Sequence, residues 1–450
     1  MEFLINLFFY LEYIFWFVLV FTIIVFVHEF GHYYVAVLNG VKVERFSIGF
    51  GPPLIKYTDK KDTTWQLCTF PLGGYVKFEG EMYPDKSKTN KNSKLFMHKT
   101  AFQKASVVLA GPLANFILGI LLFIFIFVIF GKNYTAPIVG KVIQESPAEY
   151  SGLIKNDRIL ALNKKNIFSF EEIYSYLDSE LYEQINFTII RGKNVKEINI
   201  KPEKKLIKTF INSSREINYI GIEPLLTPII NKVVKKSPAH EGGMKTKDKI
   251  VQINNIKVND ISQVVSIIKK NPNNILNFLV LRDKKTVELN IYPNLVINKK
   301  GEKKGVIGIT FLKERKKIDF FTALIDSIKN FFLICYKTLI AFGEIIFGKR
   351  DHCEVGGPIL IAKVSNDIGS QDIVSFASLI ALISINLGLI NLFPLPLLDG
   401  GHFFTYIYEG IYKKKVTLSF FKYFQSIGIV LIFSLMIFSI FNDIYCRVLN

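Results

Sequence analysis

Four long apolar blocks limit the folds open to this sequence. They are Ile14–Val27, Val107–Phe130, Val374–Phe393 and Ile427–Phe441. With flanking residues, each block reaches the roughly 17–25 residues that a helix needs to cross a bilayer. The first block has neither a positively charged leader nor a small-residue cleavage site, so it is predicted to be retained rather than removed as a signal peptide. The sequence therefore predicts a polytopic α-helical membrane protein with four transmembrane helices.

The basic residues are distributed unevenly between these blocks. The formal net charge is +18, but the lysines are scattered and no nucleic-acid-binding motif is present, so no nucleic-acid partner is predicted. Twelve Lys and Arg residues lie between Tyr33 and Lys104, whereas the segment before Leu11 has none and the segment after Phe441 has only Arg447. By the positive-inside rule, the first loop is cytoplasmic and both termini lie on the outer side.

The region between the second and third blocks contains an internal repeat, in which Ile138–Ala148 recurs as Ile229–Ala239. Three later pairs keep the same offset: Gly152 with Gly243, Asp157 with Asp248 and Asn163 with Asn254. Each copy, 134–223 and 224–312, is predicted to form strands around an amphipathic helix. This order resembles the bacterial, circularly permuted PDZ domain.

The PDZ resemblance implies two loops that capture the C-terminal carboxylate of a peptide, Tyr219–Ile222 and Val306–Ile309. In such a complex the peptide adds to the domain as an extra strand. A duplicated β-sandwich with no binding role is the alternative. The sequence alone leaves both interpretations open.

Two further regions are predicted to lie at the membrane without forming one of the four spans. Residues 33–104 combine strand and turn character with a polar loop, and are expected to form a β region on the cytoplasmic side. Residues 315–373 include Phe320–Phe347, an apolar stretch with four charged residues that suits a helix lying in the interface. A disulfide bond between Cys335 and Cys353 is compatible with their spacing.

The first block ends in an H-E-x-x-H motif formed by His28, Glu29 and His32. On an α-helix, residues four apart share a face, so the two imidazoles can bind one Zn²⁺ with Glu29 beside it as general base. Each charged group in hydrocarbon costs about 2.5–3.5 kcal/mol, which metal coordination would offset. A pair of interfacial histidines that extend to the headgroups is the alternative, and it gives Glu29 no role.

A third ligand is expected from another membrane segment, because the motif ends a transmembrane helix. Asp399 is the acidic residue of the third block region, within N-L-F-P-L-P-L-L-D-G-G from Asn391 to Gly401. Pro394 and Pro396 prevent a regular helix there, and irregular backbone at membrane depth must line a protein cavity. Three protein ligands and a water would complete a catalytic zinc site. A turn residue in the D-G-G bend is the alternative role of Asp399.

These two motifs, in this order, closely resemble the site-2 protease family and, within it, the branch called regulator of sigma-E protease. The resemblance covers nearly the whole chain, including the PDZ pair, G-P-L-A-N-F at Gly111–Phe116 and G-G-P-I-L-I-A at Gly356–Ala362. It implies three zinc ligands and one acid–base residue: His28, His32, Asp399 and Glu29. It also implies three substrate-binding residues: Asn391, Pro394 and Pro396.

The expected reaction is peptide hydrolysis inside the transmembrane segment of a single-span membrane protein. A helical substrate hides its carbonyls in its own hydrogen bonds, so it must unwind, and the amide of Asn391 can offer the freed groups a donor and an acceptor. Phe46–Gly51 could offer a strand edge for the same purpose. Helix–helix packing is the alternative role of Asn391, and it is the role expected of Asn115 and Asn386.

The family resemblance also implies a location and a class of partner. The chain is expected in the bacterial inner membrane, in contact with the lipid bilayer and with the active site near the cytoplasmic face. Its substrates would already be trimmed on the outer side, such as an anti-sigma-factor stub or a remnant signal peptide.

Two other functions stay open on the sequence. A catalytically idle receptor would only bind peptide C-termini through its PDZ domains, and a metal or ion transporter would use the same His and Asp cluster. Four spans without an inverted repeat argue against the transporter. His402 follows the D-G-G sequence, but a fourth protein ligand would leave no place for water, so it is not predicted to bind the metal.

Overall fold

A computed structural model describes residues 2–80, 95–179, 181–208, 214–297, 303–312, 314–348, 356–369, 372–414 and 416–447. The chain divides into two compact units, one formed by Met1–Gly131 with Lys317–Asn450 and the other by Lys132–Lys316. The first unit holds the long apolar helices, and the second is built from strands and short helices. The polar loop predicted before residue 104 falls largely on residues 81–94, outside the described residues.

The helices of the described residues are, in chain order, α1 (Glu2–Leu38), α2 (Ala101–Ile129), α3 (Pro147–Tyr150), α4 (Phe170–Ser179), α5 (Pro238–Glu241), α6 (Ile261–Lys270), α7 (Phe320–Ile346), α8 (Pro358–Gly369), α9 (Ile373–Asn391), α10 (Asp399–Tyr412) and α11 (Leu418–Arg447). The strands of the first unit are β1 (Val43–Thr58) and β2 (Thr64–Phe78).

The strands of the second unit begin with those of the first copy of the repeat: β3 (Lys132–Asn133), β4 (Val139–Val142), β5 (Arg158–Leu162), β6 (Lys165–Asn166), β7 (Ile185–Arg191), β8 (Asn194–Ile200), β9 (Glu203–Lys208), β10 (Ser214–Tyr219) and β11 (Ile222–Pro224). The strands that follow are β12 (Ile230–Val233), β13 (Lys249–Ile253), β14 (Ile256–Lys257), β15 (Leu276–Arg282), β16 (Lys285–Ile291), β17 (Asn294–Ile297), β18 (Lys303–Val306), β19 (Ile309–Phe311) and β20 (Arg315–Lys316).

Four helical segments are long and apolar enough to cross a membrane: Leu11–Leu38, Ala101–Ile129, Ile373–Asn391 and Tyr423–Cys446. They coincide with the four apolar blocks of the sequence. The first helix was predicted to end at His32, but it continues to Leu38. The added turns are stabilised by packing, because Ala36 is fully buried in a cluster with Val43 and Phe78 of the β region.

The helix α2 begins at Ala101, four residues before the predicted start at residue 105. Thr100 caps it: the side chain of Thr100 accepts a hydrogen bond from the backbone N–H of Gln103, and Gln103 accepts one from the backbone N–H of Thr100 at 3.0 Å. This reciprocal capping box satisfies donors that would otherwise be unpaired at the helix start.

The region predicted to be interfacial contains α7 and α8. The long helix α7 is not among the four candidate spans, and Ala323 of α7 is fully buried in a cluster with residues of α2 and α9. An interfacial position for α7 stays a prediction. Cys335 of α7 is a free thiol, so the bridge considered between Cys335 and Cys353 is wrong; Cys353 lies outside the described residues.

The strands β1 and β2 form a strongly bent antiparallel hairpin that packs on α1. Phe46 of β1 pairs with Trp65 at the beginning of β2 and, on its other side, with Val76 near the end of β2. Phe46 is almost fully buried, with its ring against Phe26 of α1. The β region predicted after the first span is therefore present. Its Phe46–Ile48 segment, however, is paired on both sides and does not offer the free edge that the sequence suggested.

The second unit contains two copies of one arrangement. The first copy has a four-stranded sheet in the order β6-β5-β7-β8, and the second has β14-β13-β15-β16. Each copy adds a two-stranded sheet, β11-β4 or β12-β19, and a hairpin, β9–β10 or β17–β18. Each has its own core, around Phe187 in the first copy and Phe278 in the second. The repeat in the sequence is therefore also a repeat in the structure.

A buried ion pair recurs in both copies. Arg191 donates hydrogen bonds of 2.8 and 2.7 Å to Asp157 and a third, of 2.7 Å, to the backbone oxygen of Gly152. Arg282 makes two bonds of 2.7 Å to Asp248 in the second copy. Both aspartates are fully buried. Because a buried carboxylate needs a partner, this contact explains why the two copies share the Gly and Asp positions of the sequence repeat.

Replacing Asp248 with alanine is expected to lower the free energy of unfolding of the second copy by about 2–3 kcal/mol, because Arg282 loses a charge-assisted hydrogen-bond partner. Limited proteolysis of the detergent-solubilised chain across a urea series measures the change. Glu288→Ala, at an exposed position of β16, is the matched control and should shift the stability by less than about 0.5 kcal/mol. Equal urea midpoints for the two variants would contradict the structural role of the pair.

Candidate metal centre

Three side chains that can bind a metal meet within the first unit. They are His28 and His32 of α1 and Asp399 of α10. Nε2 of His28 lies 3.2 Å from Nε2 of His32 and 3.1 Å from Oδ2 of Asp399, and Nε2 of His32 lies 3.5 Å from Oδ1 of Asp399. Both histidines are buried. Among the described residues this is the one group of three or more such side chains whose ligand atoms lie this close together.

Two glycines let α1 and α2 cross closely enough to place the imidazoles between them. A Cβ atom at Gly31 would collide with the backbone of Ala110 in α2. A Cβ atom at Gly111 of α2 would collide with the ring of His32 and press on the ring of His28. The glycine inside H-E-F-G-H and the glycine that opens G-P-L-A-N-F therefore leave the volume that the two rings occupy.

Asp399 reaches the histidines because the chain leaves one helix and begins another. The helix α9 ends at Asn391, residues 392–398 are not helical, and Leu397 has φ of +72°. Asp399 is the first residue of α10, whereas the third span was predicted to cover 374–401 and so to include it. Gly400 is helical and buried, and a Cβ there would collide with backbone oxygens of the preceding loop. The glycine therefore permits close packing of loop on helix rather than a bend after the carboxylate.

Residues of α2 also contact the Nδ1 atoms of both imidazoles. Nδ1 of His32 donates a hydrogen bond to the backbone oxygen of Val107 at 2.8 Å. Nδ1 of His28 lies 3.1 Å from Nδ2 of Asn115, a fully buried side chain. A partner on Nδ1 fixes the orientation of a metal-binding imidazole and leaves Nε2 for the metal. In both histidines Nε2 faces Asp399.

The separations of these atoms suit a tetrahedral zinc ion. Zn–N bonds of about 2.0–2.1 Å place neighbouring ligand atoms of a tetrahedron roughly 3.3–3.4 Å apart. The measured separations are 3.1, 3.2 and 3.5 Å. Oδ2 of Asp399 is buried and accepts no hydrogen bond from the described residues. An ionised carboxylate buried in this way is costly unless a cation compensates it, and a divalent ion would compensate it while binding both Nε2 atoms. The residues present therefore fit zinc.

Glu29 lies beside the three ligand residues without being one of them. Its side chain is buried, and its carboxylate accepts a hydrogen bond from the backbone N–H of Val76 in β2. The strand comes this close because residue 74 is glycine: a Cβ at Gly74 would collide with Glu29 and with Val25 of α1. The hairpin of β1 and β2 therefore holds the Glu29 carboxylate next to His28 and on the side of the β region.

The three residues predicted to hold substrate differ in their surroundings. Asn391, the last residue of α9, has its Nδ2 atom 3.5 Å from Nε2 of His28. Pro394 is exposed in the loop after α9, whereas Pro396 is buried. A Cβ at Gly428 of α11 would collide with Pro396, so α11 packs directly against this proline. Asn391 and Pro394 are accessible to a bound chain, and Pro396 contacts α11.

His402 does not join the metal group. Its ring stacks on Tyr406, with 6.4 Å between the ring centroids, and its nitrogens are not among the clustered ligand atoms. That the site has three protein ligands stays a prediction.

Asn115 is the site residue whose position the sequence analysis did not anticipate. It was assigned to helix packing together with Asn386, and only Asn386 keeps to that role, by accepting a hydrogen bond of 2.7 Å from Thr338 of α7. The available signal was spacing: Asn115 lies four residues after Gly111, on the same face of α2. That face contacts the histidines because α1 and α2 cross there, and the sequence alone does not predict this crossing.

Comparison with known proteins shows which family this chain belongs to. The sequence model of Peptidase family M50 matches residues 16–435. The chain is 29% identical over 441 residues to the regulator of sigma-E protease RseP of Escherichia coli, covering 95% of this chain and 97% of that protein. It is 31% identical over 430 residues to a Rickettsia conorii protein whose assigned name is that of a zinc metalloprotease, with the same coverage of both.

Among solved structures, the PDZ domain of an SdrC-like protein from Listeria monocytogenes is similar to part of this chain. The match has 20% identity and a TM-score of 0.17, and it covers 19% of this chain and 87% of that one. A TM-score this low supports no conclusion about the fold.

The family match extends from the first span, ahead of the H-E-x-x-H motif, into α11. It therefore includes both metal motifs and the whole second unit. The family resemblance inferred from those motifs is confirmed. The chain belongs to Peptidase family M50 and is a zinc metalloprotease of the site-2 protease type, which cuts proteins within the membrane.

Proposed function

We propose that His28, His32 and Asp399 bind the zinc ion of this protease and that Glu29 is its general base and acid. The observation that carries the proposal is the convergence of two Nε2 atoms and one carboxylate within 4.8 Å, in a buried site. Three protein ligands leave a fourth tetrahedral position for water or substrate. Glu29 follows His28 directly on α1, and its buried carboxylate is proposed to act on a water molecule at that position.

When bound, zinc lowers the pKa of a water molecule towards about 7 and polarises the peptide carbonyl. Glu29 takes the proton of the attacking water and later delivers it to the nitrogen of the leaving amine. The hydrogen bond from Val76 and the close approach of Gly74 keep the carboxylate pointing to one place during both transfers. Burial of His28, His32 and Glu29 limits access of bulk water, which favours return of the proton to the amine.

Asn115 is proposed to position His28. When Nε2 of His28 binds zinc, its Nδ1 carries a proton and needs an acceptor. Oδ1 of Asn115 is buried without a partner among the described residues, and Nδ2 of the same amide faces the imidazole. Rotating the Asn115 amide by 180° lets Oδ1 accept a hydrogen bond from Nδ1–H of His28. Oδ1 of Asn115 and Nδ1 of His28 then each have a partner.

The substrate is proposed to be a transmembrane segment that unwinds at the site. Its freed N–H and C=O groups need partners in a medium without water. Asn391 supplies one, because its amide lies 3.5 Å from His28 and offers both a donor and an acceptor. Pro394 is exposed next to it in a loop that cannot be helical, so it can contact the same segment. For Pro396 the proposal is indirect: it shapes the loop while it packs against α11.

The location and partners of the chain follow from its charge distribution and its family. We propose that it lies in the inner membrane of a bacterium, with both termini periplasmic and the metal centre near the cytoplasmic face. The Escherichia coli relative is named a regulator of sigma-E protease. We propose a similar class of substrate here, a single-span membrane protein already trimmed on the outer side, such as an anti-sigma-factor stub or a remnant signal peptide.

The two copies of the second unit are proposed to be PDZ-like domains on the outer side of the membrane. Each copy has the strands and the amphipathic helix expected from the sequence. Each also has a two-stranded sheet, β11-β4 or β12-β19, whose later strand, β11 or β19, begins at the end of a predicted carboxylate-binding loop. They would then dock substrates or select them by size.

Replacing Glu29 with glutamine is expected to lower cleavage of a single-span substrate by at least about 10²-fold, because the amide cannot take up the proton of water. Bound zinc, measured by elemental analysis of the detergent-purified protein, should stay at the wild-type level because Glu29 is not a ligand. Glu12→Gln, the same change elsewhere on α1, is the control. Full cleavage by the Glu29 variant, with zinc retained, would show that another group is the general base. No cleavage by the wild-type chain either would favour the idle peptide receptor.

Replacing Asn115 with alanine should weaken zinc binding by about 10- to 100-fold, because the imidazole of His28 loses the partner that orients it. Competition with a fluorescent chelator measures the affinity. Asn386→Ala is the matched control: it removes the same polar group from a neighbouring apolar helix, but Asn386 bonds Thr338 rather than a ligand. If both variants lost zinc equally, a general loss of packing would explain the result and the positioning role would be wrong.

A further inference from the structure

Six lysines gather at one end of the second copy. The N–H of Val234, which precedes the first two in the chain, donates to the backbone oxygen of Gly308 at 2.9 Å. A Cβ at Gly305 would collide with the backbone oxygen of Ile268, so the last turn of α6 lies against the end of β18. These contacts bring three short stretches of chain together. Their lysines, called the lysine end below, are Lys235, Lys236, Lys269, Lys270, Lys303 and Lys304.

The lysine end is open to solvent, and the protein does not neutralise it. Five of its six lysines are exposed, and Lys304 is half-buried. None of the six forms an ion pair with an acidic side chain of the described residues. Cations at a helix C-terminus are favourable in any protein, which accounts for Lys269 and Lys270. The other four lysines have no such explanation, and because like charges repel, an anionic partner would stabilise them.

The first copy has the opposite charge at the equivalent positions. In the same order, the six equivalent residues are Gln144, Glu145, Asp178, Ser179, Glu216 and Ile217. The last two are counted back from the matching loops Tyr219–Ile222 and Val306–Ile309. The sequence therefore changes from three acidic residues to six basic ones, although both copies keep the same strand order. Folding of this domain does not require the lysines, which leaves binding as their role.

Exposed apolar side chains accompany the lysines. Val234 directly precedes Lys235 and is 46% exposed, and Val306, two residues after Lys304, is 38% exposed. Val296 of β17 pairs directly with Lys304 of β18 and is 40% exposed. Surfaces that rest on a bilayer combine basic and apolar side chains in this way, because ammonium groups meet lipid phosphates while apolar groups enter the headgroup layer.

The chain itself keeps the second unit close to a bilayer. The candidate span α2 ends at Ile129, and the second unit begins three residues later, at Lys132. Three residues extend by at most about 11 Å. A basic surface on a unit tethered in this way meets the headgroups of anionic phospholipids at high local concentration, without having to encounter a second macromolecule.

The composition of the lysine end suits a lipid surface better than a single small anion. All six cations are lysines, which act as point charges, whereas arginine is the residue that binds one carboxylate or phosphate through two hydrogen bonds. The lysines come from the connection between β12 and α5, the last turn of α6 and strand β18. Their charge is therefore spread over a surface, as the phosphates of a bilayer are, and each lysine adds to the attraction.

We propose that the lysine end of the second copy binds the surface of an anionic phospholipid bilayer. The ammonium groups contact lipid phosphates, and Val234, Val296 and Val306 contact the headgroup layer. The first copy, which has acidic residues at the equivalent positions, does not bind this surface. The contact needs neither the zinc site nor a peptide bound to either copy.

Flotation with lipid vesicles tests the proposal on the full-length chain. The chain is placed in nanodiscs of phosphatidylcholine and mixed with vesicles of phosphatidylcholine alone or with about a third of the lipid replaced by phosphatidylglycerol. The nanodiscs should float with the anionic vesicles at least about tenfold more than with the neutral ones. Raising the salt from about 0.1 M to about 1 M should remove most of this difference, because it shortens the Debye length from about 10 Å to about 3 Å.

A variant that takes four residues from the first copy locates the binding surface. Its changes are Lys235→Gln, Lys236→Glu, Lys269→Asp and Lys270→Ser. Flotation should weaken by at least about tenfold, because four cations are lost and two anions are gained. The matched control makes the same four kinds of change at exposed lysines of the first copy and should float like the wild-type chain: Lys193→Gln, Lys196→Glu, Lys201→Asp and Lys204→Ser.

Lysine footprinting checks the contact on the unaltered chain and so does not depend on the folding of a variant. Acetylation of each lysine is followed by mass spectrometry with neutral and with anionic vesicles. Anionic vesicles should slow the acetylation of Lys235 and Lys269 by about threefold or more, because bound phosphates shield them. Acetylation of Lys193 and Lys196 should not change.

Equal flotation of the two fourfold variants would overturn the proposal, because net charge alone would then explain binding. Equal flotation with neutral and anionic vesicles, or unchanged acetylation of Lys235 and Lys269, would also overturn it. Displacement of the vesicles by soluble polyglutamate, with glycerol phosphate inactive, would identify an acidic protein as the partner instead. None of these measurements involves proteolysis, so failure here is distinct from failure of the zinc mechanism.

Discussion

The close contact of the His28 and His32 imidazoles with the Asp399 carboxylate is the interaction on which the first unit depends. Charged and polar groups in a low-dielectric setting are costly unless they neutralise one another or bind an ion. The side chains of His28, His32 and Asp399 are close enough to interact electrostatically. Oδ2 of Asp399 accepts no hydrogen bond from the described residues. A divalent cation removes that cost, so metal binding and the stability of the helix crossing are linked.

The surrounding residues are small or irregular where the site needs space. Gly31 and Gly111 bring α1 against α2, and Gly74 brings β2 against Glu29. The seven residues from 392 to 398 interrupt the helices, so Asp399 starts α10 at the depth of the histidines. Small residues such as glycine let membrane helices pack closely, and an interrupted helix at this depth is tolerated only where it is buried in protein or lines a cavity. Packing of α11 on Pro396 and of the hairpin on α1 then fixes the result.

The second unit illustrates how one fold can diverge after duplication. The Arg–Asp pairs, the strand order and the cores recur almost unchanged, because they hold each copy together. Tyr174 of the first copy and Val265 of the second are at equivalent positions and lie outside both buried cores. Positions of this kind are free to change what a domain binds without changing how it folds.

The sequence predicted the features that depend on local pattern. Apolar blocks gave four spans, the spacing of His28 and His32 gave a shared face, and the repeated Asp157 and Asp248 marked a structural repeat. Asp399 was identified as a ligand candidate, although its place at the start of α10 was not.

The features that sequence reasoning missed all depend on tertiary contacts. The helix α1 continues to Leu38 because Ala36 packs on the β region, and Phe46 lies in the middle of a folded hairpin rather than at an edge. Asn115 becomes part of the site only because α1 crosses α2 at two glycines. No spacing rule within a single segment contains that information.

X-ray absorption spectroscopy at the zinc edge, on protein purified in detergent, tests whether His28, His32 and Asp399 bind one zinc ion. We expect one zinc per chain, bound by two imidazole nitrogens and oxygen ligands at about 2.0–2.1 Å, with zinc lost or its coordination changed in Asp399→Ala and in His32→Ala. Zinc with an unchanged spectrum in both variants, or purified active protein without zinc, would contradict it.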